Sequence, residues 1–183
     1  MQTAAVILAA GASTRFGSMK QVAPFGTGTM LGAVITQARD AGLDPIIAVL
    51  PPGVEAPPGA TAVVNDQPSA GISRSLQLGI RAVPEDVGGA VILLGDQPTL
   101  SVDAIRAVLG AERHGRPIAA AHADGRRGPP VFLLREAFAL AEEATGDHGL
   151  APLLTAHSER VASVDIGRHA PDVDTPADMR RLG

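Results

Sequence analysis

The sequence contains no cysteine. This excludes disulfide bridges, thiolate zinc sites and cysteine nucleophiles, and it suits a reducing compartment. Tryptophan and tyrosine are also missing and only four phenylalanines are present, so stacking platforms for single-stranded nucleic acid are lacking. There is no basic excess. The net charge is −4, whereas a nucleic-acid binder carries a surplus of Lys and Arg. No apolar run approaches the roughly 18 residues that suggest a membrane span. No basic region precedes the strand-like start Thr3-Ala4-Ala5-Val6-Ile7-Leu8. The expectation is a chain without signal peptide or membrane anchor, acting in the cytoplasm.

What is present is the composition of a folded domain: 183 residues, 45% hydrophobic and 19% charged. That length suits one domain over residues 1–183 with a sizeable core. Short apolar runs alternate with amphipathic segments of helical length. Strands are predicted over residues 4–8, 45–50, 60–64, 90–94, 118–121, 131–134 and 160–165. Helices are predicted over residues 30–41, 72–83, 102–114, 135–145, 150–156 and 176–182. This alternation reads as an α/β fold: a three-layer αβα arrangement with a mostly parallel, Rossmann-like central sheet. Ala90-Val91-Ile92-Leu93-Leu94 is apolar throughout, as a central strand buried on both faces should be. Asp124-Gly125 between two apolar stretches predicts a hairpin at the sheet edge.

Open parallel sheets bind ligands beyond the carboxyl ends of their strands, so the residues after each strand matter most. After the first come Gly11-Ala12-Ser13-Thr14-Arg15-Phe16-Gly17-Ser18-Met19-Lys20. Small residues let the backbone approach an anion closely, and Arg15 and Lys20 supply a planar fork and a compact charge. The spacing is neither that of a Walker loop nor GxGxxG, and the same residues also suit a flexible surface loop with two solvated cations. After the fourth strand come Gly95-Asp96-Gln97-Pro98. A carboxylate at the end of a buried strand needs a partner, and a hard divalent cation is a good one. Capping is the alternative role for Asp96, weakened because Ser101 stands ready to cap the next helix.

Two further segments stand out. Asn65-Asp66-Gln67-Pro68-Ser69-Ala70-Gly71-Ile72-Ser73-Arg74-Ser75 precedes and opens a helix. Free amides and hydroxyls there suit a phosphate or a base edge, and a Ser-capped helix explains them equally well. In Pro171-Asp172-Val173-Asp174-Thr175-Pro176 the two aspartates face the same way if the segment is extended. Thr175 and Pro176 read as helix cap and first helical residue. The five histidines show no metal-ligand spacing such as HExxH.

Taken in order, these segments resemble the nucleotidyltransferases of molybdenum-cofactor maturation, in particular the CTP:molybdopterin cytidylyltransferases. Residues 8–20 (LAAGASTRFGSMK) match the family's LAAGxSxRFGxxK opening, and 71–80 (GISRSLQLGI) its GxSxSLxxGI segment. LGDQP at 94–98 matches the metal-binding strand end, GDHG at 146–149 resembles a GDxG motif, and DVDTP at 172–176 the closing DIDTP. The resemblance implies the nucleotide-diphospho-sugar transferase type of fold. It implies that Leu8, Ala9, Ala10 and Gly11 hold base and ribose, and that Arg15 and Lys20 hold the triphosphate. It makes Asn65, Gly71 and Ser75 nucleotide-binding, and Asp96 and Asp174 ligands of Mg2+. Gln97, Gly128, Pro130, Asp147 and His148 fall on the acceptor side. Gly128-Pro129-Pro130-Val131 stands where the family often has Gly-His-Pro-Val.

The activity so implied is transfer of CMP from CTP to molybdopterin with release of pyrophosphate, catalysed by Lys20, Arg15 and Asp96 with magnesium. Ala9-Ala10-Gly11 goes with CTP; a Gly-Gly variant goes with GTP. Alternatives are a sugar-phosphate or polyol-phosphate acceptor, a GTP-using guanylyltransferase, and a non-catalytic module that delivers cofactor to a molybdenum-enzyme maturation partner.

Overall fold

The computed structural model describes residues 1–11, 16 and 19–182. Its core is a seven-stranded sheet. The strands are β1 (Thr3–Leu8), β4 (Ile46–Leu50), β5 (Thr61–Val64), β6 (Gly89–Leu94), β7 (Ile118–Ala123), β8 (Arg126–Leu134) and β9 (Val161–Asp165). Their order is β5-β4-β1-β6-β8-β7-β9. β2 (Pro24–Phe25) and β3 (Gly28–Thr29) form a separate small hairpin that the sequence did not announce. Among the described residues β8 alone runs against its neighbours, pairing antiparallel with β6 and β7. The other pairings are parallel.

Strand alternation sorts β1 into two cores. Ala4, Val6 and Leu8 share one cluster with Leu76 and Ile80 of α2 (Ile72–Arg81). Ala5, Ile7 and Ala9 share the other with Val34 and Ile35 of α1 (Met30–Asp40) and Ile105 of α3 (Val102–Gly110). Both faces of β1 and β6 are therefore covered, which explains their uninterrupted apolar runs. α2 lies unusually close to the sheet at Gly79, where a Cβ would stand 2.3 Å from Val6 Cγ1. Thr29 and Ser101 cap α1 and α3 by accepting from Gly32 N and Ala104 N. α4 (Ala151–Ala156) and α5 (Pro176–Leu182) complete the helices.

Two elements depart from the sequence reading. The segment expected as a helix over 135–145 is a run of 3-10 turns over Arg135–Glu143. Tertiary bonds hold both its ends: Arg135 N donates to Gly88 O and Gln77 Nε2 to Ala144 O, and tertiary context overrides propensity. α3 stops at Gly110 rather than continuing to 114, because Ala111 is extended and His114 takes a left-handed φ of 49°. The hairpin at Asp124-Gly125 is present, with both residues at positive φ (52° and 71°), as a type I′ turn requires. No helix among the described residues is long and apolar enough to cross a membrane.

β1 is followed in space by β4 on one side and β6 on the other, so the chain order reverses there. Such a switch point opens a crevice beyond the strand ends. Residues 166–175 then run back across that carboxyl edge. Ile166 N donates to His122 O at 3.2 Å and Val173 N to Asp96 O at 2.9 Å. This strap ties the end of β9 to the end of β6.

Candidate active site

The crevice between β1 and β6 is a cavity of about 300 Å3. Leu8, Ala9, Ala10 and Gly11 form one wall, Gly71, Ile72 and Ser75 another, and Lys20 and Asp96 its polar end. Gly95 brings β6 close to β1: a Cβ there would lie 2.6 Å from Ala9 Cβ. Gln21, which sequence reasoning passed over, shapes the loop after β1. It is buried, and its Nε2 donates to Ala9 O at 2.7 Å and Gly11 O at 3.1 Å. Nothing but its position beside Lys20 could have signalled it.

Lys20 follows that loop on a short 3-10 turn (Lys20–Val22). Its ammonium donates to Asp96 Oδ2 at 2.9 Å, Asp174 Oδ1 at 3.3 Å and Val173 O at 3.3 Å. Burial alone would lower its pKa, but the charge and hydrogen bond of Asp96, joined by Asp174, outweigh that and hold Lys20 above the ordinary lysine range. Its side chain is 12% exposed. Asp174 reaches this point because the strap is extended. Val173 is fully buried while Asp172 and Asp174 flank it, as the alternation of an extended segment predicts. Thr175 Oγ1 accepts from Asp178 N and Asp178 Oδ2 from Thr175 N, a reciprocal cap that fixes the strap where Asp174 emerges.

Three oxygens thus converge on one cation. Asp96 Oδ1 is, in addition, buried without a hydrogen-bond partner. An all-oxygen donor set with an unsatisfied carboxylate atom fits magnesium, which binds through one or two carboxylates and completes its shell with substrate phosphates and water. Among the described residues no group of three or more His, Cys, Asp or Glu could hold a metal unaided, so a cation here would take further oxygens from water or a ligand.

A second cavity of about 320 Å3 adjoins the first, sharing Leu8, Ile72, Leu94 and Asp147. Its floor is apolar, with Ile92, Leu150 and Leu154. Its polar rim carries Gln97, Arg126, His148, His169 and Asp172. Gln97 Nε2 donates to Asp172 Oδ1 at 2.9 Å. Burial raises the pKa of the Asp172 carboxyl; Gln97 and Lys20 pull it down, Asp96 and Asp174 push it up, and the outcome is above the usual carboxylate value. Arg126 and Arg127 both line this cavity; Arg127 is held by Ser163 Oγ at 2.7 Å and Leu154 O at 3.2 Å, whereas Arg126 is exposed at the rim.

The structure brings together Leu8, Ala9, Ala10, Gly11, Lys20, Gly71, Ser75 and Asp96 in the first cavity, with Asp174 on Lys20. Gln97, Gly128 and His148 line the second, and Asp147 lines both. Pro130 is buried beside the second cavity, not in its wall. Asn65 is fully buried behind the first. The start of α2 is not Ser-capped; its cap is Gly71, with φ +93°. A Cβ on Gly71 would lie 2.4 Å from the Gly146 carbonyl, so glycine is required where the two cavities meet. Arg15 lies outside the described residues.

The profile of the MobA-like NTP transferase domain matches residues 5–161 of the chain. The crystal structure of Rv0371c from Mycobacterium tuberculosis H37Rv is 30% identical with a TM-score of 0.84, the match covering 100% of this chain and 97% of that one. Its homologue from Mycobacterium sp. strain JC1 is 31% identical with a TM-score of 0.78, covering 98% and 93%. The 2-C-methyl-D-erythritol 4-phosphate cytidylyltransferase of Thermus thermophilus, at 22% identity and a TM-score of 0.72 over 100% and 97%, shares the fold. No curated protein sequence matches the chain.

Proposed function

Because the chain belongs to the MobA-like NTP transferase family and is a nucleotidyltransferase, we propose that it transfers CMP from CTP to a molybdopterin-type cofactor with release of pyrophosphate. The observation that carries this reading is the meeting of Lys20, Asp96 and Asp174 at the β1–β6 crevice, next to a second cavity large enough for a separate substrate. The first cavity takes the nucleotide, with its nucleoside between residues 8–11 and the start of α2. The buried methyl of Ala10 narrows that wall and favours a pyrimidine over a purine. The second cavity takes the acceptor, whose phosphate oxygen attacks the α-phosphorus in line with the departing pyrophosphate. That oxygen is already ionised, so positioning and charge neutralisation make up most of the catalysis.

Asp96 and Asp174 would hold the divalent cation, which when bound supplies charge neutralisation at the α- and β-phosphates. In support, the related Rv0371c has been crystallised in complex with manganese. Lys20 exchanges its carboxylate partners for phosphate oxygens of the nucleotide, and Arg15 contributes a second cation to the pyrophosphate. Arg126 and His169 face the acceptor's anionic group. A phosphorylated sugar or polyol is the second reading. It is favoured by Pro129 in the acceptor wall, where the family often presents an imidazole.

The test is pyrophosphate release in magnesium, with CTP, GTP or ATP against molybdopterin and a panel of sugar and polyol phosphates. Release is expected with CTP and molybdopterin. Release only with a sugar or polyol phosphate moves the assignment to the second reading. Tight NTP binding without release from any acceptor would make the chain a cofactor-delivery module.

A further inference from the structure

A third cavity, of about 480 Å3, adjoins the second. It shares Arg126, Arg127 and Ala151 with the second and no residue with the first. The three hollows therefore follow one another in a row, and the third opens through a part of the second cavity's wall that the first does not touch. Its lining comes from strand pairing. His122 of β7 stands opposite Arg127 of β8, and Ala120 of β7 opposite Ser163 of β9, so these side chains share one face of the sheet. Along that face Ile118, Ala120 and Val161 belong to the core. Beyond them the face turns polar, with His122, Arg127 and Ser163, and Ala151 and Thr155 of α4 form the facing wall.

Arg127 is half-buried. Its Nε donates to Ser163 Oγ at 2.7 Å and its Nη1 to Leu154 O at 3.2 Å. Neither partner carries a charge. The guanidinium is thus fixed in place without a counter-charge, and among the described residues its Nη2 donates to nothing. The His122 ring makes no hydrogen bond among the described residues either, and an imidazole always carries an N–H to donate, whichever tautomer it adopts. No Asp or Glu among the described residues lines the cavity. Asp165, opposite His122 on β9, accepts instead from Gly167 N at 2.8 Å. A partly desolvated cation with an unused donor and no carboxylate in its wall suits an anion carried in by a ligand.

We propose that the third cavity is an anion subsite, in which Arg127 and His122 bind a second anionic group, phosphate or carboxylate, at the non-reacting end of the acceptor. This rests on the nucleotidyltransferase reading above and narrows its acceptor class: one phosphate reacts, and another anion lies at the far end of the same molecule. Arg126 stands in the walls of both cavities, so the test is placed on Arg127 and His122.

Calorimetry with the monophosphates and bisphosphates of butanediol, hexanediol and octanediol, in magnesium, provides that test. In the wild type a bisphosphate of fitting length should bind about tenfold or more tightly than its monophosphate, the contribution of one charge-assisted contact. Arg127→Gln should abolish that advantage and His122→Ala should reduce it. Arg127 also ties α4 to β8 through Leu154 O; His122 makes no such bond, so its variant keeps the test independent of that tie. A second readout is local. The His122 ring resonances should shift saturably with inorganic phosphate at constant pH, and not with sodium chloride at equal ionic strength. A bisphosphate advantage of the same size in the wild type and both variants would overturn the proposal. So would no advantage at any chain length, or a His122 response to chloride equal to that to phosphate. Failure to release pyrophosphate from CTP with every acceptor is a different result: it removes the nucleotidyltransferase reading and leaves the measured anion binding as it stands.

Discussion

The two cavities adjoin at the ends of β1 and β6, and they are built differently. The first cavity, proposed for the nucleotide, lies beyond the ends of the parallel strands β1 and β6, and most of its wall comes from the segments that follow β1, β5 and β6. Its polar groups are bonded to one another before any ligand arrives: Lys20 to Asp96 and Asp174, Asn65 to Ser75. The second cavity, proposed for the acceptor, lies where β8 runs against the other strands, and its wall is collected from the ends of β1 and β6, the start of β8, the GDHG turn, α4 and the strap. Arg126 and His148 are exposed there. Preorganised charge suits a triphosphate, whose chemistry is common to many enzymes; an open rim suits a part of the site that changes with the acceptor.

The largest effect expected from breaking this contrast is at Asp96. Asp96→Asn should keep the fold and lower turnover roughly 100-fold or more, as removal of a transition-state charge stabiliser does. Steady-state rates in magnesium check this, and a near-normal rate would remove Asp96 from the metal. A smaller, one-sided effect is expected across the crevice. Arg126→Ala should raise the KM for the acceptor roughly ten- to hundredfold, since a charge-assisted bond contributes about 1.5–3 kcal/mol, and leave NTP affinity alone. Equal weakening of both substrates would erase the distinction between the cavities.

The smallest effect is electrostatic and concerns the metal-free protein. Burial, Asp96 and Asp174 raise the pKa of Asp172 against the opposing pull of Gln97 and Lys20. A raised carboxyl favours the folded state fully at pH below the unfolded carboxylate value, and this contribution is lost as pH rises through the folded value. Asp172→Asn removes that loss. It should therefore melt slightly higher than wild type at neutral pH and lose the advantage as the pH falls below the carboxylate range. The opening of Asp172 to the cavity screens the effect. Melting curves at pH 4 and pH 7 (approximate settings on either side of the carboxylate range) decide it, and a pH-independent difference would contradict it.

The same contrast explains what could be read from the sequence. Residues 90–94 announced a central strand because they are buried on both faces, and LGDQP placed Asp96 at its end because strand ends face the crevice. The alternation Asp172-Val173-Asp174 survived intact because the strap is extended. Arg126, His169 and Leu154 carried no signal, since their meeting depends on β8 running antiparallel and on the strap crossing it, both long-range events. Gln21 was invisible for another reason: its role is to bind backbone carbonyls, and any sequence offers those. Asn65 stood in a legible segment, but only the hydrogen bonds show that it lies behind the cavity wall and is bonded to Ser75.

The central claim, that a metal-bound nucleoside triphosphate sits between β1 and β6, is tested most directly by the thermal shift produced by CTP with and without magnesium, in wild type and in Asp96→Asn. Binding to the native state raises Tm. A clear rise is expected with CTP and magnesium together in the wild type, little with CTP alone, and little under either condition in Asp96→Asn. An equal rise in both proteins, or one independent of magnesium, would place the nucleotide elsewhere.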